Sequence, residues 1–390
     1  MTLTRRSFCI SLGALPLFGA ADNRGILLTA EQAEKLRAIP VPDAVRQNAS
    51  AALNAGPWSV TTHRPDHVSV GPNDYYSEGP YWWPDPRNPT GPYIRKDGER
   101  NPARFMGNRR DLGDMCSAVL ALGTSAFLLG DKVCGEHAAK VLSTWFVDPK
   151  TRMNPNLEYG QAVRGINTGR GTGLIDTVSL IHAAQGIWLL ERAGMLDPRL
   201  GGAVRAWYAD FLRWMTTSHN GRDEKESGNN HATWWTAQVA SYATLTGNEA
   251  AKSMAWEHYR KVLVPEEIKP EGSCRREEAR TNSLSYSAMN LDAFSVICRV
   301  AATNGQDLWS YRTHQGVGVV NAFDYLTPYV LHPETWKKEQ ISKFNPDSTF
   351  FPGLAGIGLP SKTLAEAYAK LPRSSSSPWT QFLNLLVKIG

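Results

Sequence analysis

The sequence predicts an all-α fold, and within that class an α/α toroid in which helical hairpins surround a central cleft. Three observations carry the prediction. Apolar residues recur at three- and four-residue spacing in segment after segment, whereas the strict alternation of a half-buried strand is scarce. Gly130, Gly194, Gly247 and Gly305 each end an apolar run, as a left-handed helix cap requires. These stops fall roughly 55–65 residues apart, the length of two helices plus their loops. No repeat is visible residue by residue, so the hairpins are inferred from the spacing of the stops.

The elements follow in chain order. Residues 1–21, "MTLTRRSFCISLGALPLFGAA", open with a twin-arginine pair, Arg5-Arg6. A short apolar run and small residues come next. The run is too short to span a bilayer, so the segment reads as an export signal cut near Ala20 or Ala21. This predicts a periplasmic or secreted protein with no membrane anchor. Residues 22–390 then form one toroidal domain. The formal net charge is +5, or +3 without the two arginines of the signal. That mild excess suits an acidic polymer. The chain has no Lys/Arg cluster of the kind nucleic acid requires, and it is expected to act as a monomer.

Helices are expected over 113–129, 176–193, 203–217, 232–246, 250–263 and 285–303. A last amphipathic one, about 379–388, is set off by "LPRSSSSP". Two long loops rich in glycine and proline precede the first and second of these helices, at 70–93 and 153–173. Loops of that length without regular structure are usually functional. Cys116, Cys134, Cys274 and Cys298 have no zinc-site spacing. A Cys116–Cys134 bridge and buried free thiols are both open.

Four stretches carry candidate chemistry. Asn230 and His231 precede Ala232 at the start of a helix. Free N–H groups and the positive end of the helix dipole there attract anions. The same field is expected to keep His231 neutral. In "RREEARTNSLSYSAMNLDAF" (275–294) a helix is expected from Ser283, with Tyr286 in its first turn and Arg280 just before it. An arginine beside a tyrosine stabilises phenolate and lowers the phenol pKa. Tyr76, Tyr81, Trp82, Trp83, Trp234 and Trp235 offer aromatic faces on which sugar rings stack. In "GINTGRGTGLID" and just before it, Arg164, Asn167 and Arg170 are candidates for holding a carboxylate. Each stretch also has a plain structural reading: a helix cap, a core tyrosine with a salt-bridged arginine, packed rings, a glycine-rich turn.

Taken in this order, "YYSEGPYWWPDP", "MNPNLEYGQAVRGINTGRGTGLIDT", "NNHATWW" and "EARTNSLSYSAMNLDAF" resemble the motifs of the alginate lyase domain family of polysaccharide lyases, over roughly residues 65–330. The resemblance implies an α/α toroid of roughly five to seven hairpins that cleaves polyuronates without metal or other cofactor. The family's Asn-His pair falls on Asn230 and His231, its arginine on Arg280 and its tyrosine on Tyr286. The arginine–tyrosine spacing here is six where the best-known members have seven, the mark of a divergent subfamily. The expected substrate is mannuronate-rich alginate, with glucuronan second. The expected reaction is β-elimination, leaving a 4,5-unsaturated uronate end. A glycoside hydrolase on the same fold would need two flanking carboxylates, and Glu158, Asp176, Glu278 and Asp292 show no obvious pairing. A non-catalytic polyuronate-binding protein would not need both His231 and Tyr286.

Overall fold

The computed structural model describes residues 25–359, 361–373 and 377–390. The twin-arginine segment lies outside them. Sixteen α-helices are found among the described residues, in this order. First come α1 (Ala30–Arg37), α2 (Asp43–Leu53), α3 (Gly107–Leu129) and α4 (Lys132–Leu142). Then come α5 (Leu180–Arg192), α6 (Pro198–Thr217), α7 (His219–Lys225) and α8 (Asn230–Thr246). The third group is α9 (Glu249–His258), α10 (Val264–Glu267), α11 (Arg275–Glu278) and α12 (Ser283–Thr303). The last are α13 (Val319–Leu331), α14 (Phe351–Gly358), α15 (Lys362–Lys370) and α16 (Pro378–Ile389).

Six of these helices make a ring. α3 packs on α5, α5 on α8, α8 on α12, α12 on α14, α14 on α16, and α16 returns to α3. The others back the ring: α2 and α4 lie against α3, α6 and α9 against α8, α13 against α12, and α15 against α14. This is the predicted α/α toroid. The final helix is more than the offset appendage the sequence suggested, because it closes the circle. Long apolar helices without a polar face belong inside a protein. α8 fits that rule, with every residue from Ala232 to Leu245 buried. α3 and the segment Gly171–Arg192 are long and apolar enough to cross a membrane, yet both are mostly buried within the ring.

The stops act as expected. Gly130, Gly194, Gly247 and Gly305 all take positive φ, between 65° and 73°. Two interior glycines have another task. A Cβ on Gly123 of α3 would lie 2.5 Å from the Gly186 carbonyl oxygen, and one on Gly186 of α5 would lie 2.5 Å from that of Val119. The helices therefore touch backbone to backbone, and only glycine fits. Two expected helices are divided. The 176–193 segment begins as a 3₁₀ turn, Gly171–Thr177, before α5. The 250–263 segment finishes in a π-helical turn, Tyr259–Leu263.

Below the ring, the segment Ile26–Leu28 is wholly buried. Its backbone is tied to the inner helices by Gln185 of α5 and by Arg299 and Thr303 of α12. Above it, the two long loops, with the residues just after the first, carry four short strands: β1 (Tyr76–Glu78), β2 (Trp82–Trp83), β3 (Ile94–Arg95) and β4 (Tyr159–Ala162). β1 pairs in parallel with β4, and β2 pairs antiparallel with β3. Cys116, Cys134, Cys274 and Cys298 are buried free thiols, so no Cys116–Cys134 bridge forms.

Candidate active site

The loops and the starts of α8 and α12 enclose a cavity of about 280 Å³. Of the residues proposed from sequence, Tyr81, Trp82, Arg170, Asn230, His231, Arg280 and Tyr286 line it. The four catalytic candidates thus meet, though Asn230 and Tyr286 lie 56 positions apart in the chain.

His231 sits one residue into α8. Asn229 caps the helix by accepting the His231 backbone N–H at 2.9 Å. The imidazole Nδ1 lies 2.8 Å from Glu224 Oε1 on α7. The His231 side chain is 19% exposed and that of Glu224 not at all. Burial works against a charged imidazole, but the Glu224 carboxylate outweighs it and moves the His231 pKa up. The shift runs opposite to the one expected from the helix field. The helix field is real, but a buried carboxylate within hydrogen-bonding distance is stronger than a partial charge.

The anion site expected at the same helix start is partly filled. The Asn230 backbone N–H donates to Glu277 Oε1 at 2.6 Å, and its Nδ2 donates to Glu277 Oε2 at 2.8 Å. Glu277, on α11, is buried, and that burial raises its pKa although both Asn230 bonds lower it. An amide carries two hydrogens, and only one goes to Glu277 in this arrangement.

Arg280 does not pair with Glu277 or Glu278. Its Nε and Nη2 donate to the two carboxylate oxygens of Asp97, at 3.0 and 2.8 Å, from 183 residues away in the chain. Glu278 pairs with Lys338 instead. The Arg280 guanidinium lies over the face of the Tyr286 ring, 3.9 Å from its centre. The two phenolic oxygens of Tyr286 and Tyr81 are 2.5 Å apart. Burial, then Tyr81, raises the Tyr286 pKa, and Arg280 lowers it less. The expected lowering of the phenol is therefore overturned. The arginine is half neutralised by Asp97 and meets the ring rather than the oxygen.

The remaining candidates divide. Arg170 donates to the Gln161 carbonyl at 3.0 Å and to its Oε1 at 3.1 Å, and lies over Trp82. It is a cation with no carboxylate in its hydrogen bonds. Arg164 is outside the cavity, paired with Glu78 at 2.7 Å. Asn167 only closes a turn by accepting the Val163 N–H. Tyr76 is buried against Glu78, and Trp83 donates to the Glu99 carbonyl. Trp234 and Trp235 are core residues, 5% and 1% exposed. At the head of α8, Asn229, Asn230 and His231 line the cavity, and the tryptophan rings pack the toroid.

Sequence reasoning missed several residues. Arg95, Arg100 and Arg109 also line the cavity. Arg95 shares Asp97 with Arg280, and Arg109 pairs with Asp176 at 3.4 Å. Gln161 supports Arg170 from a backbone with φ of 49°, a rare conformation for a residue other than glycine. Glu224 stands seven positions before His231, but Gly228 at positive φ separates their helices, so helical spacing gave no signal. No described residue that lines the cavity is an Asp or a Glu. Among the described residues no three His, Cys, Asp or Glu side chains gather as a metal site. The positive charge at the cavity comes from arginines.

Comparison with known proteins places the chain in a family. The family model "Alginate lyase" matches residues 59–336. The crystal structure of an alginate lyase from Bacteroides ovatus is 31% identical, with a TM-score of 0.84, over 93% of this chain and 99% of that one. Alginate lyase A1-III from Sphingomonas species A1 is 16% identical with a TM-score of 0.58, over 87% and 89%. A variant of it complexed with a tetrasaccharide matches at 17% identity and a TM-score of 0.54, over 78% and 76%. The latter two speak for the fold alone. No curated protein matches significantly. With the family model spanning most of the chain, the protein belongs to the alginate lyase family and is a polysaccharide lyase, a carbon–oxygen lyase.

Proposed function

We propose that the enzyme cleaves a β-1,4-linked polyuronate by β-elimination at the cavity between α8 and α12, with mannuronate-rich alginate as first substrate and glucuronan as second. The observation that carries the reading is the lining itself: histidine, tyrosine, asparagine and arginines, with no carboxylate. A glycoside hydrolase needs two carboxyl groups at the bond. Asp176 is held by Tyr75, Ser77 and Gln161. Glu158 bonds Trp214, and Asp292 caps α14 through the Phe350 and Phe351 N–H groups.

In the elimination a base takes the proton on C5 of the uronate, the C4–C5 double bond forms, the C4–O bond breaks, and an acid protonates the leaving oxygen. The C5 proton is weakly acidic because the neighbouring carboxylate is already negative. Donors aimed at that carboxylate lower the barrier. Asn230, His231 and the arginines supply them, Arg170 foremost because no carboxylate competes for it.

In β-D-mannuronate or β-D-glucuronate, H5 and O4 share one face of the ring, and Tyr286 serves as both base and acid. One observation favours a second reading. The Tyr286 hydroxyl is joined to that of Tyr81, and burial, then Tyr81, raises its pKa, which suits an acid better than a resting base. His231 would then take H5 and Tyr286 protonate O4, the geometry of α-L-guluronate, whose H5 and O4 lie on opposite faces. The twin-arginine segment supports action in the periplasm or outside the cell.

The test is ultraviolet absorbance with polymannuronate, polyguluronate and glucuronan, in chelator, for the wild type and Tyr286→Phe. Growth of the unsaturated-uronate band on one polymer, lost in the variant, names the substrate. New reducing ends without that band would mean hydrolysis and end this reading. Silence on all three polymers would favour a binding protein.

A further inference from the structure

Glu224 belongs to none of the motifs and does not line the cavity, yet it is the hydrogen-bond partner of a residue that does. Its carboxylate is buried beneath the floor, on α7, where it was delivered by the turn Glu226–Asn229 folding α7 against the start of α8. Oε1 meets His231 Nδ1 at 2.8 Å. Oε2 is buried with no hydrogen-bond partner among the described residues. A buried carboxylate with one unpaired oxygen is costly unless a cation compensates it. His231 is the group in contact that can become that cation. With Nδ1 engaged, the free nitrogen of His231 is Nε2, and His231 lines the cavity.

We propose that Glu224 is a positioning residue for the elimination, fixing His231 as its Nδ1–H tautomer with Nε2 towards the substrate and stabilising the imidazolium. The inference rests on the lyase reading above and holds for both stereochemical routes. If His231 is the base, the C5 proton moves to Nε2, the C5–H electron pair forms the double bond as the C4–O bond breaks, Tyr286 protonates the leaving oxygen, and the new positive charge on the imidazole sits against Glu224. If Tyr286 is the base, a proton already on Nε2 faces the uronate carboxylate, and Glu224 keeps it there. Other charged or titratable groups near His231 come from several elements. Glu277 is on α11, Arg280 follows it, Arg170 and Asp176 come from the glycine-rich segment, and Tyr286 is on α12. Glu277 favours the imidazolium and Arg280 opposes it, while burial raises the Glu224 pKa and His231, then Arg170, offset part of that rise. Among the described residues, Glu224 is the one in hydrogen-bond contact with the ring.

The test is Glu224→Gln, which keeps the side-chain shape and removes the charge. Two readouts are taken. One is the ¹⁵N NMR titration of the His231 ring, assigned with His231→Asn. The other is the pH profile of kcat and KM on whichever polymer the wild type cleaves. The expected result is a His231 midpoint lower by about one to three pH units. With it, kcat should fall by about 10²–10⁴-fold, with KM little changed and the pH profile displaced in the same direction as the midpoint. Glu224→Asp should restore part of the midpoint. A Glu224→Gln protein with the wild-type midpoint, or with unchanged kcat and pH profile, overturns the proposal. Should the variant fail to fold, the wild-type titration decides. A neutral Nδ1–H tautomer with a midpoint above the ordinary histidine value supports it, and an Nε2–H tautomer or a midpoint at or below that value overturns it. A wild type that cleaves no polyuronate sinks the lyase reading, and the NMR titration still decides the Glu224–His231 coupling on its own.

Discussion

Tyr286 has its ring stacked on one arginine and its hydroxyl joined to another tyrosine, so its two ends can be tested apart. Tyr286→Phe keeps the Arg280 stacking and removes the proton donor. Activity should fall by about 10²–10⁴-fold with the melting temperature almost unchanged, as paired kinetic and thermal measurements would reveal. Tyr81→Phe removes one of the groups that raise the Tyr286 pKa. The alkaline limb of the rate profile should then move to lower pH. Asp97 offers a stability test. Burial pulls its pKa up, but Arg280 and Thr281 hold it well below the ordinary carboxylate range. A depressed carboxylate contributes stability that is full above its unfolded-state pKa, about 4, and is lost as the pH falls through the folded value. Asp97→Asn should therefore melt lower than wild type at pH 7, with the gap narrowing below about pH 4. The sequence identified Asn230, His231, Arg280 and Tyr286 as residues, because the types and their order carried the resemblance. It did not give their electrostatics. Those depend on Asp97, Glu224 and Glu277, and a partner 183 positions away leaves no local trace.

At the scale of elements, local chemistry was a good guide. The four glycine stops fold as left-handed caps, and the helices containing His231 and Tyr286 begin at Asn230 and Ser283, within two residues of expectation. The divided helices failed the simple reading because apolar periodicity does not distinguish α from 3₁₀ or π turns over one turn. The tryptophans of α8 failed for another reason. An aromatic ring fits a sugar site and a helix core equally well, and only the direction of the helix face decides. Trp235→Ala should cost about 3–5 kcal/mol in unfolding free energy, whereas Trp235→Phe should leave substrate KM unchanged. A lower affinity in that conservative variant would return the ring to the site. The α3–α5 contact makes a sharper demand. Gly186→Ala places a methyl against the Val119 carbonyl, so denaturant unfolding should show a loss of about 1–3 kcal/mol.

Seen whole, the molecule is a circle fastened near its two ends. α16 bridges α14 and α3 and also touches α1 and α2, while Ile26–Leu28 lies buried beneath the inner helices. The toroid was legible in the repeated hairpins, but its closure was not, since the final helix looked like an addition after a serine-rich tract. What revealed the clasp was packing between residues at opposite ends of the chain, which no local pattern encodes. Deleting residues 378–390 should therefore cause a broad loss of cooperative melting, where a mere appendage would leave the transition intact. The clasp also sets a schedule for synthesis. α3 ends at Leu129 and its partner α16 begins at Pro378, and a ribosome adding ~5–20 residues per second takes roughly 10–50 s to cover the interval. For that time the nascent chain is an open arc with one apolar flank of α3 uncovered, and the ring can shut only after α16 has emerged.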